Sequence, residues 1–162
     1  DFTLDAGSLQ TNDFLALWFG SSTGPNIGLK ANCGSNCSND LFVRTGGTDA
    51  GGNAQNVVQD TTYSMLGYLQ KTSGSSVYNR FDLWINPTAA EVSSLTGSDA
   101  FDLGDANISS FDTIGFRRAN LDSGDVVTID NLRVSAVPEP GSLALLGSGL
   151  ALMLATARRR MR

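Results

Sequence analysis

The chain has 162 residues, with 16 acidic and 11 basic side chains and no histidine, for a formal charge of −5. The length suits one domain with an appendage. The missing histidine excludes the Ser-His-Asp and Cys-His nucleophile systems and histidine-based zinc sites. Only two glutamates, Glu91 and Glu139, are available for carboxylate catalysis. The charge is divided unevenly: residues 1–137 carry 15 acids and 7 bases, a balance of −8, and residues 138–162 carry one acid and four bases, +3. An acidic body argues against nucleic acid as a partner, since affinity for phosphates comes from clustered Lys and Arg. Gly, Ser, Thr, Asn and Asp dominate the body and Lys occurs twice, a composition that looks exported. The first residue is Asp1, and the expectation is that the start of the gene product is missing, by processing or because this is a fragment.

In chain order, short apolar runs predict strands near 2–5, 13–19, 26–30, 40–44, 55–59, 63–71, 77–86, 111–118 and 125–134. Turn-rich separators lie between them, at 20–24, 34–39, 46–53, 72–76 and 122–124. Many short strands at this spacing point to an all-β fold, an antiparallel jelly-roll-like β-sandwich over residues 1–135. The best helical candidate in the body is Ala89 to Leu95, following Pro87.

Four features of the body invite a chemical reading. Cys33 and Cys37 lie in Cys-Gly-Ser-Asn-Cys, and in an exported protein so close a pair suggests a small disulfide loop. A metal site would need further ligands, and free thiols are the remaining alternative. In the run 77–86, Val77, Phe81, Leu83 and Ile85 share one face, while Tyr78, Arg80, Asp82, Trp84 and Asn86 share the other. That second face could form an aromatic, hydrogen-bonding platform for sugar rings, and the competing reading packs Trp84 beneath a loop. Asp99, Asp102 and Asp105 are spaced by three, unlike the alternating ligands of an EF-hand, and Gly46 to Gly52 is a lone glycine-rich turn. Solvated turns explain both; a single Ca2+ held by loop carboxylates is the alternative. In the last strand Val127 and Ile129 are in step while Leu132 and Val134 are not, so a bulge near Asp130–Asn131 is expected to return both pairs to the core.

From residue 136 the chain changes character. Val137, Pro138, Glu139 and Pro140 precede an uncharged apolar run, Gly141 to Ala157, and then Arg158, Arg159, Arg160 and Arg162. Seventeen helical residues would reach roughly 25 Å, just enough to span a bilayer. The run reads as a single C-terminal hydrophobic helix, weakened by Gly147, Ser148 and Gly149, with its arginines held on the cytoplasmic side. An amphipathic or core helix is the plainer alternative.

This order, Pro-Glu-Pro, apolar helix and terminal arginines, resembles the PEP-CTERM sorting signal of Gram-negative bacteria. The resemblance implies export, recognition by an exosortase membrane protease, and removal of the helix to leave a cell-surface or released protein. The body has a second likeness. Phe81-Asp82-Leu83-Trp84-Ile85-Asn86-Pro87 is similar to a strand of laminin G-like, concanavalin A-like domains. Val127 to Val134 resembles their closing strand, with Asn131 where a Glu is usual, and Phe111 to Phe116 fits the strand before it. Concanavalin-like hydrolases carry Glu-x-Asp-x-x-Glu on one strand, which is missing here; Asp pairs are the alternative for glycoside hydrolysis, and no constellation of them stands out.

The resulting expectation is an exported, non-enzymatic surface or matrix protein that binds exopolysaccharide, needs no cofactor, and passes through the membrane on its C-terminal helix before processing. The rival class is a secreted carbohydrate-active enzyme or a calcium-binding adhesion module.

Overall fold

Alternating apolar residues separated by Gly- and Asn-rich turns favour short antiparallel strands. The computed structural model, which describes residues 1–5, 12–31, 40–46, 51–58 and 60–137, has eleven such strands and one short helix among them. One sheet contains β1 (Phe2–Asp5), β6 (Thr62–Tyr63) and β11 (Val126–Ile129) in the order β11-β1-β6. A second ladder joins β7 (Met65–Gln70), β8 (Arg80–Ile85) and β9 (Ala100–Leu103). Only Ser64 separates β6 from β7, so the chain runs directly from one ladder into the other and they line one layer. Facing them is a five-stranded sheet of β2 (Phe14–Phe19), β3 (Asn26–Lys30), β4 (Asp40–Arg44), β5 (Gly52–Asn56) and β10 (Ile114–Ala119), ordered β10-β2-β3-β4-β5. All pairings among these strands are antiparallel.

The pleat sends alternate side chains to opposite faces, and this sorts the core. Leu17, Phe19, Leu29, Leu41 and Val43 of the five-stranded sheet meet Tyr63, Phe81, Leu83 and Ala100 of the other layer. Phe19 contacts Phe81 edge-on, with ring centroids 5.8 Å apart, and Phe111 at 5.2 Å. Full burial of side chains of this size stabilises by about 1.5–3 kcal/mol each. Along the β10 edge the packing stops. Ile114 and Phe116 stand across from Phe19 and Leu17 on the same face, yet Phe116 is 50% exposed.

Several expectations change. The expected strand 55–59 lies at Gly52–Asn56, where Gly52 presses on the backbone of Phe101 with no room for a Cβ. The run 63–71 divides at Ser64. The run 77–86 narrows to Arg80–Ile85, because Asn79 is drawn into the preceding loop, accepting from Thr72 N–H and donating to Thr72 Oγ1, both at 2.8 Å. Strand β9 was expected as solvated turn; it pairs with β8 from Arg80–Leu103 to Leu83–Ala100. The closing strand ends at Ile129, and Asn131 takes a left-handed φ of 54° that turns the backbone aside. The expected bulge therefore does not return Leu132 and Val134 to the core, and both are exposed.

Helix α1 (Ala89–Ser94) forms where expected. Thr88 caps it, Glu91 closes the capping box, and Leu95 ends it in the left-handed region. The β-sheet unit ends at Asn131, and the chain from Leu132 onward is a separate unit whose described residues, 132–137, are exposed and carry neither helix nor strand. No helix among the described residues is long and apolar enough to cross a membrane, and the expected helix 141–157 lies outside them.

Burial makes unequal claims on two phenylalanines. In the full chain, Phe81→Ala should cost about 3–5 kcal/mol, and Phe116→Ala should stay within about 1 kcal/mol. Urea unfolding of both variants checks this, and equal losses would mean that Phe116 is covered in solution.

Candidate functional site

Strand β8 presents both of its faces to packing, and this disposes of the sugar platform expected there. Trp84 is 1% exposed and its indole N–H donates to the Thr96 carbonyl at 3.0 Å, so the chain following α1 covers it. Asn86 adopts a left-handed φ of 51° and ties the turn to Ser64, donating its N–H to Ser64 O at 2.7 Å and accepting from Ser64 N–H at 2.9 Å. Tyr78 packs by Phe111, with centroids 5.9 Å apart, and receives the Lys71 ammonium at 5.2 Å. Of the five residues, the fold brings Arg80 and Asp82 together and gives the other three separate structural tasks.

Asp82 is the centre of that polar cluster. It accepts from Arg80 Nη2 at 2.6 Å, from Arg80 Nε at 2.9 Å, from Gln70 Nε2 at 2.8 Å and from Ser98 Oγ at 3.1 Å. The Arg80 guanidinium also lies over the Phe101 ring, 4.6 Å from its centroid. Burial opposes ionisation of Asp82, but the hydrogen bonds from Arg80, Gln70 and Ser98 and the Arg80 charge outweigh it, holding the carboxyl below its ordinary value. The group is saturated by partners from β7, β8 and the segment after α1, which makes it a clamp between elements.

Three further aspartates are similarly engaged. Asp99 Oδ2 accepts from Ile85 N–H at 2.7 Å, and Asp102 Oδ2 accepts from Thr45 N–H and Oγ1, both at 2.7 Å. Asp105 Oδ1 accepts from Asn107 N–H at 2.7 Å. Among the described residues no three His, Cys, Asp or Glu side chains gather as a metal site. Cys33, Cys37 and Asp49 lie outside the described residues.

The outward face of the five-stranded sheet carries a second aromatic and basic group. Strand parity and register put Phe14, Ala16 and Trp18 of β2, Asn26, Gly28 and Lys30 of β3, Phe42 and Arg44 of β4, and Gly115, Arg117 and Ala119 of β10 on it. Phe14 and Phe42 pack together, centroids 5.8 Å apart, and the Arg44 guanidinium sits 5.2 and 5.1 Å from their ring centres. Its Nε donates to Asn26 Oδ1 at 2.8 Å. Arg117 reaches over Phe14 at 5.7 Å and donates to the Ser22 carbonyl at 3.3 Å. Burial and the neighbouring Arg44 charge lower the Lys30 pKa.

Trp18 lies at one end of this face, across from Gly115. A Cβ at position 115 would collide with Cζ2 of the indole and stand only 2.8 Å from Cε2, so the ring rests on the bare backbone of β10. Trp18 is half-buried and Arg117, the next residue on that face of β10, is exposed. Trp18 carries no signal in the sequence, because the glycine that lets its ring lie flat is nearly a hundred residues away and only the sheet register joins them.

The separate C-terminal unit holds the other functional element. Residues 136–160 match the family model of the PEP-CTERM protein-sorting motif. No curated protein and no solved structure matches the chain. The motif marks an exported protein with a C-terminal sorting signal and a cell-surface destination. Pro138, Glu139, Pro140 and the arginines 158, 159, 160 and 162 lie outside the described residues; Val137, just before them, is exposed.

The Asp82 clamp has a pH signature. A carboxyl with a lowered folded pKa stabilises fully above its unfolded value, near 4, and loses that contribution as pH falls through the folded value. Asp82→Asn should lower stability at pH 7 and flatten the acid limb of the stability curve. Urea midpoints measured from pH 7 down to about 2 test this, and an acid limb parallel to that of the unaltered protein would remove Asp82 as its source.

Proposed function

We propose that the chain is a non-enzymatic cell-surface or matrix protein whose sandwich, a jelly roll of laminin G-like type, is carried out of the cell and presented to exopolysaccharide after its sorting tail is cut. The observation that carries this reading is the match of residues 136–160 to the PEP-CTERM motif. The exposed stretch 132–137 supports it, because a protease needs an extended, accessible chain.

The physical sequence of events follows from the tail. Seventeen apolar residues, 141–157, are marginal for a bilayer about 30 Å thick, which suits a transient stop better than permanent residence. Four arginines on the cytoplasmic side set its orientation and leave the body on the far side. Pro138 and Pro140 disfavour continuing a helix through Glu139, so the segment next to the membrane stays open to an exosortase-type protease. Peptide-bond hydrolysis there releases the sandwich and leaves the helix behind.

For the sandwich, Asp99, Asp102 and Asp105 are each engaged by backbone N–H groups, which favours a structural over a catalytic role for them. The mass of the mature protein from its native host tests the processing step: it should end near residue 137. An intact C-terminus through Arg162 on the bulk of the exported protein would overturn it and leave a single-span anchor.

A further inference from the structure

The geometry points to the Trp18–Arg117 end of the five-stranded sheet as the place where the protein holds a carboxylate-bearing sugar of an acidic polysaccharide. This rests on the exopolysaccharide-binding reading above and gives it a location and a ligand class.

The two tryptophans are treated differently by the fold. Trp84 is enclosed and its N–H is bonded to Thr96. Trp18 is half-buried, and among the described residues nothing accepts its N–H. Its ring is laid on β10 because Gly115 has no side chain, so one ring face is supported and the other can take the apolar face of a pyranose. The flat placement is built in by the cross-strand pair Trp18–Gly115, so little ordering is needed on binding.

Arg117 supplies the charge. Its position is diagonal to Trp18 across the β2–β10 ladder, a separation of about 7–8 Å between backbones, within reach of one sugar unit and its substituents. Among the described residues it has no carboxylate partner; its only hydrogen bond there is to the Ser22 carbonyl, which steers the guanidinium toward the β2–β3 turn. In that turn the exposed Ser21 and Thr23 hydroxyls, 3.3 Å from each other, stand ready for sugar hydroxyls. Of the other cations of this face, Arg44 is buried between Phe14 and Phe42, and Lys30 is only partly exposed. A body of charge −8 repels a polyanion at a distance. Capture then depends on a local guanidinium whose planar donors match a carboxylate, and it weakens as salt screens the pair.

The test uses the full chain in a mild non-ionic detergent, with a polyuronate (alginate) and a neutral glucan (dextran) as probes in affinity electrophoresis. The unaltered protein should be retarded by the polyuronate far more than by dextran, and less at 0.5 M salt. Trp18→Ala and Arg117→Gln should each weaken retardation roughly tenfold, equivalent to about 1.4 kcal/mol. Trp18→Phe should retain most of it. Gly115→Val, which lifts the indole off the strand, should act like Trp18→Ala, and unchanged circular dichroism separates these effects from unfolding. Retardation by polyuronate that survives all three disruptive substitutions would overturn the site while leaving the polysaccharide reading standing. Equal retardation by dextran, unaffected by Arg117→Gln, would overturn the acidic ligand class. No retardation by either probe would overturn both the site and the polysaccharide reading.

Discussion

Asp82 sits in the middle of β8 with both faces of that strand covered, and a carboxylate can remain there only if its oxygens are fully hydrogen-bonded. Arg80, Gln70 and Ser98 meet this demand, and in doing so they bind β7, β8 and the chain after α1 into one unit. The same covering segment accepts the Trp84 N–H through Thr96. The short helix between them, with no buried residue of its own, is held by its Thr88–Glu91 capping box and serves to bring Thr96 and Ser98 back over the sheet. On the opposite face Phe81 and Leu83 enter the shared core, so β8 couples the polar clamp to the hydrophobic contact between the two layers.

The five-stranded sheet solves a related problem differently. Its inward face is apolar throughout β2, β3 and β4, and its outward face carries aromatics that need cover of their own. Arg44, laid between Phe14 and Phe42, buries its stem and guanidinium against the rings while Asn26 satisfies its Nε. Toward the β10 edge this cover thins, leaving Trp18 on its glycine and Arg117 exposed beside it. A rigid, well-bonded sheet beneath a partly open aromatic and a cation is a suitable base for a binding surface, since the strands hold both groups in register.

Division into two units fits an exported protein with a disposable tail. The sandwich ends at Asn131, whose left-handed backbone turns the chain out of β11, and the following residues make no secondary structure up to 137. A sorting signal joined through such a stretch can be recognised and removed without disturbing the strands, because its described residues, 132–137, belong to no strand.

Local chemistry was enough to read much of this from the amino-acid order. Alternation and turn residues located β1 to β4 nearly to the residue, the segment Ala89 to Leu95 after Pro87 offered α1, and the Pro-Glu-Pro, apolar and arginine blocks announced the sorting signal, each within a few contiguous positions. What depended on distant partners was not legible. Strand parity alone sets Trp84 outward; of the two readings open for it, the return of Thr96 over β8 selects the one that packs it beneath a loop. Asp102 and its neighbours look like turn residues, and only pairing with β8 makes Ala100–Leu103 a strand. Trp18 looks like one more apolar residue until the β2–β10 register sets it on Gly115. Periodicity assigns a side chain to a face of its own strand; which face is covered, and by what, is decided by segments that meet only when the sheet closes.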